Sequence, residues 1–176
     1  MLVKNIISEC LSKLGMDPEA HNDGEDSVVK ALLDAANSVY CEIATDYLPL
    51  VAREKAVFDE GFAEVSALAK RILYVVAVRK DGIAKGYKLY PDYIESTFRG
   101  EGEIEYAYLP DEFAFDGELS DTRIPEWLFA EGVCAEYCYR NNMSDMAEAF
   151  AAKFKESLLR LKNKGSSKYL KARRWS

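Results

Sequence analysis

The sequence predicts an α+β protein: a helical bundle of about four helices, a β-rich insertion between helices two and three, and an extended carboxy-terminal arm. Three observations carry that expectation. Apolar residues recur at helical spacing in two segments near the start and two near the end. In the middle the pattern changes to a β-branched run and strict alternation. The last residues, KNKGSSKYLKARRWS, hold six cations, no acid and a Gly-Ser-Ser break.

The first helix, at 3–14, is striped by Val3, Ile6, Ile7, Cys10, Leu11 and Leu14 and stopped by Gly15. The second, at 26–47, is capped by Asp26 or Ser27 and striped by Val29, Leu32, Leu33, Ala36, Tyr40, Ile43 and Tyr47, with Pro49 closing it. The insertion covers 55–108. Its apolar run Arg71 to Val78 reads as a buried strand, Asp81-Gly82 as a hairpin turn, and Tyr87 to Tyr90 as the return strand. EIEYAY, Glu103 to Tyr108, places Ile104, Tyr106 and Tyr108 on one face.

An acidic stretch from Pro110 to Thr122 reads as a solvated loop. A third helix, at 125–141, opens on Pro125 and carries Trp127, Leu128, Cys134, Tyr137 and Cys138. The fourth, at 144–162, starts at Ser144 and is striped by Met146, Phe150, Phe154, Leu158 and Leu161. Residues 1–163 thus form the expected core and 164–176 the arm.

At 176 residues the chain suits one sizeable domain. Its longest apolar run, Ile72 to Val78, is far too short for a membrane span, and MLVKNIISECLSKLG lacks the features of a secretory signal. A cytoplasmic origin is expected. Cys10, Cys41, Cys134 and Cys138 sit among apolar residues, as buried reduced thiols do. Cys134 and Cys138 would stack on one helical face, but the one histidine, His21, lies far away in EAHNDGED, so no metal is expected. His21 has no nucleophile beside it. DGIAKGYK lacks the glycine spacing and the following Ser or Thr of a phosphate loop, and DEFAFDGELSD lacks calcium-loop spacing. No catalytic residue, cofactor or metal ligand is assigned.

Charge points to a partner instead. Net charge is −7, yet 6 of the 23 cations lie in the tail, leaving 17 against 30 acids, or −13, for the rest. Lys168, Tyr169, Leu170, Lys171, Arg173, Arg174 and Trp175 interleave charge for steering with large side chains for anchoring.

Four stretches together resemble the head–tail connector (adaptor, neck, gatekeeper or tail-tubular) proteins of tailed phages. They are IISECLSKLG; VVKALLDAANSVYCEIA; SALAKRILYVVAVRKDG with EIEYAYLPDEF; and RIPEWLFAEGVCAEYCYRNN followed by AEAFAAKFKESLLRLK. The resemblance implies a non-enzymatic virion protein at the neck, forming a dodecameric ring under the portal. The ring would extend the DNA channel without sequence-specific binding and offer a platform to a downstream tail or nozzle protein. The arm residues just named would dock on the portal protein, while the hairpin tip at Asp81-Gly82 or the loop near Asp116 and Asp121 would face channel or tail. Two other readings remain open on the residues alone: a small nucleic-acid-associated module using its basic tail, and a small enzyme with an unrecognised site.

Overall fold

The computed structural model describes residues 1–119, 121 and 123–165. Two compact units emerge, a helical one from Met1–Tyr40 together with the chain from Glu112 onward, and a β unit from the continuous segment Cys41–Asp111.

In the helical unit, α1 (Val3–Lys13) buries Val3, Ile6, Ile7, Cys10 and Leu11 and packs on α3 (Glu126–Arg140). Gly15, at φ 75°, ends α1: its N–H reaches Ser12 O and that of Met16 reaches Leu11 O, the paired bonds of a left-handed helix stop. α2 (Ser27–Glu42) is capped by Asp26, whose Oδ1 accepts from Val28 N at 2.7 Å and Val29 N at 3.3 Å. A π-helical turn, Ile43–Tyr47, follows. α3 is buried on nearly every side, from Leu128 through Ala135 and at Tyr137 and Cys138. Asn142, at φ 57°, stops it by the same paired bonding, with its N–H on Tyr139 O and that of Met143 on Cys138 O. α4 (Ser144–Gly165) returns along α3 and buries Ala147, Phe154 and Leu158. Gly132 admits the Phe154 ring so closely that a Cβ there would lie 2.6 Å from Phe154 Cε2.

The β unit holds two antiparallel sheets. One, ordered β1-β7-β3-β4, uses β1 (Leu50–Phe58), β7 (Gly100–Tyr108), β3 (Ile72–Lys80) and β4 (Ile83–Lys85). The other, ordered β2-β6-β5, uses β2 (Phe62–Glu64), β6 (Tyr93–Ser96) and β5 (Tyr87–Leu89). Phe58, Ala63, Val75, Val78, Ile94, Ile104 and Tyr106 form its core. Asp81 and Gly82, at φ 52° and 76°, make the two-residue hairpin turn between β3 and β4.

The expected helical bundle is not what the chain forms. The architecture is two sheets of seven strands with four helices that do not make a bundle, and the most extensive packing runs along β1, β7 and β3. A bundle needs each helix to turn a stripe toward a shared axis. Here α3 is wrapped, α4 offers a narrow stripe to that one helix, and much of the apolar sequence goes to the sheets. The return strand is also displaced. β4 pairs with β3, while Tyr87–Leu89, beyond the break at Gly86, pairs with β6 in the second sheet.

Candidate functional site

The residues expected to bind a partner, Lys168, Tyr169, Leu170, Lys171, Arg173, Arg174 and Trp175, lie outside the described residues. The helix before them continues through Gly165.

The acidic stretch is pinned to its own unit. Asn37 donates to Phe113 O at 3.2 Å and accepts from Phe113 N at 3.0 Å, and Tyr40, Phe113 and Phe129 meet with ring centroids 6.0–6.4 Å apart. Leu2 bridges Glu118, and Leu119 is buried. Asp116 is exposed, but Asp121 is buried. Burial would raise the Asp121 carboxyl; bonds from Arg123, Nε at 2.9 Å and Nη2 at 2.7 Å, outweigh it and hold the group below its usual range. His21 contacts Asp26 at 3.1 Å, which lowers the Asp26 carboxyl at the start of α2.

Between α1 and α3, Cys10 and Cys134 meet, with Sγ to main-chain O distances of 3.7 Å to Ala130 and 3.8 Å to Cys10. Hydrogen bonding with Cys134 and burial push the Cys10 thiol well up, so it is a poor nucleophile. Nearby, Lys13 donates to buried Glu131 at 2.9 Å and is raised by that bond. Glu131 Oε2 has no hydrogen-bond partner. Among the described residues no group of three or more His, Cys, Asp or Glu could hold a metal, and no helix is long and apolar enough to cross a membrane.

In the β unit, Tyr106 donates its O–H to Glu54 and accepts from Lys70 N at 3.3 Å, while Ala69 N donates to Glu54 at 3.0 Å. Burial first, and then the Glu54 bond, push Tyr106 up to about 12. The network ties the 69–70 segment to β1 and β7. On the opposite face of this sheet Arg53 lies 3.3 Å from Glu103 and 3.5 Å from Glu105, and Glu105 also pairs with Arg79. Beside this charged strip stand Val51 and Tyr74, each paired in register with Ala107.

The second sheet carries an open groove of about 850 Å³ lined by Phe62, Glu64, Val65, Ser66, Pro91, Asp92 and Tyr93. Phe62 meets Tyr93 edge-on at 5.3 Å, and Tyr93 stacks on Tyr90 at 4.6 Å. Tyr90 bonds Glu95 at 3.2 Å, which raises its phenol. Main-chain bonds from Val65 N to Asp92 O and Tyr90 N to Tyr93 O, both 2.9 Å, fix the walls. The sequence pattern alone does not mark this groove. The local signal was the Pro91-Asp92 turn with a tyrosine on each side.

No protein-family model matches this chain, and no curated protein is significantly similar to it.

Proposed function

We propose that this chain is a structural head–tail adaptor of a tailed bacteriophage, assembling as a ring under the portal, extending the DNA channel and carrying the next tail component. The observation that carries the reading is the uncovered apolar surface of the β unit. Val51, Val57, Phe62, Tyr74, Val76, Ile83, Tyr87, Leu89 and Tyr93 are all exposed there, with Val57 at 66% and Ile83 at 62%. Contiguous apolar surface marks association, and Phe62 edge-on to Tyr93, with Tyr90 stacked on Tyr93, forms such a patch in the second sheet; a ring is joined through patches of this kind. The displaced titratable groups have local structural causes. Tyr106, Lys13, Asp121 and Glu105 are each shifted beside a hydrogen-bond or ion-pair partner that holds the fold. The order of sequence elements that resembles connector proteins supplies the particular role.

The test is electron microscopy of the full chain and of a chain ending at Gly165, each mixed with the portal encoded by the same genome. The full chain should add a ring-shaped layer to the portal and the shortened chain should not. No layer with either overturns the adaptor reading; a layer with both removes the arm from it.

A further inference from the structure

We propose that the aromatic groove of the β unit binds the basic, aromatic residues 168–175 of a second copy of this chain. The groove combines ring faces with carboxylates. Phe62 and Tyr93 are exposed on one wall, Pro91 and Val65 add apolar surface, and Glu64 and Asp92 line it. The Glu64 carboxylate accepts from the Ser66 hydroxyl at 3.2 Å, and neither it nor that of Asp92 stands in an ion pair among the described residues. The walls are held by strand pairing, Phe62 with Glu95 and Glu64 with Tyr93, so little ordering is needed on binding.

Such a groove suits an occupant with rings, cations and no acid. In this chain the stretch that fits is the carboxy-terminal one, where Tyr169, Leu170 and Trp175 alternate with Lys168, Lys171, Arg173 and Arg174. Cations on aromatic faces and opposite carboxylates draw on the same attraction. Beyond Gly165 lie residues 166–176, which fully extended span about 36–40 Å, well over the length of a groove this size.

A second copy is the better donor than the same chain. Eight residues in the groove leave Val51, Val57 and Ile83 of that unit uncovered, whereas a neighbouring copy brings further surface with its arm. Arm-to-groove contact is head-to-tail, the kind that closes rings. The inference goes beyond the adaptor reading, because it needs no portal. Where a portal is present, the arm cannot occupy both places, so docking there would release it from the groove.

The experiment uses analytical ultracentrifugation of full chains at low salt. One variant reverses the groove, Glu64→Lys with Asp92→Lys. The other reverses the arm, Lys168→Glu, Lys171→Glu, Arg173→Glu and Arg174→Glu. The wild type should self-associate, each variant alone should associate at least about tenfold more weakly, and a mixture of the two should regain association. All changes are on exposed groove residues or in the arm, and unchanged circular dichroism melts confirm folding. Variants that associate as the wild type does, or a mixture that stays dissociated, overturn the proposal. So does a wild type that stays monomeric while a soluble peptide of residues 164–176 binds the arm-reversed variant, which would place the arm in its own groove.

Discussion

The two units treat their apolar residues differently. In the helical unit large side chains are mostly consumed internally, α1 against α3, α4 against α3, and Tyr40 against Phe113 and Phe129. Of the fourteen large apolar side chains exposed among the described residues, nine belong to the β unit. Internal polar groups differ as well. The helical unit leaves Glu131 Oε2 without a hydrogen bond, whereas in the β unit buried Tyr106 is met from both sides. The helical unit thus spends most of its large apolar side chains on its own packing, while the β unit leaves more of them in water.

The largest expected effect asks whether the two cores are equally built. Phe129→Ala in the helical unit and Phe58→Ala in the β unit both empty a fully buried position and should each cost about 3–5 kcal/mol by urea unfolding. A loss under about 1 kcal/mol for Phe58→Ala would mean that the β unit lacks a packed interior.

A second effect belongs to the β unit alone. An unfolded tyrosine ionises near 10, while Tyr106 in the fold does so at about 12. The stabilisation is complete below pH 10 and is lost as pH climbs to 12, a decline of about 2–3 kcal/mol. Tyr106→Phe should flatten this decline in urea midpoints taken at pH 8, 10 and 11. If it persists unchanged in the variant, its source is elsewhere.

The smallest effect sharpens the contrast most. Val57→Thr and Ile83→Thr should shift stability by less than about 0.5 kcal/mol, because both side chains are already in water. They should nevertheless lower self-association by light scattering. A marked loss of stability with unchanged association would make these residues part of the fold instead of its meeting surface.

What was legible in the sequence was punctuation. Gly15, Asp26, Asp81-Gly82 and the start of the third helix act where local chemistry says they should, because caps and turns are made by neighbours in the chain. Pro125 precedes that helix as its cap, with Glu126 the first helical residue. β1 starts at Leu50, ahead of the insertion expected at 55, because three of its inward positions, Ala52, Glu54 and Ala56, are too small or too polar to extend the apolar face between Leu50 and Phe58. The bundle expectation failed for a related reason: helical periodicity reveals that a face is apolar and not what will cover it. The groove was invisible for want of pairing information, since Glu64 meets Tyr93 only once β2 and β6 are side by side.

The β unit is one continuous segment, while the helical unit is made from both ends of the chain. Order of synthesis therefore matters. Cys41–Asp111 can close as soon as it leaves the ribosome, but α1 must wait for α3, more than a hundred residues later. At ribosomal speeds that is roughly 6–25 s, during which Ile6, Ile7 and Leu11 have no α3 to cover them. The first helix made is among the last to find its place, and a chaperone has that interval in which to hold it.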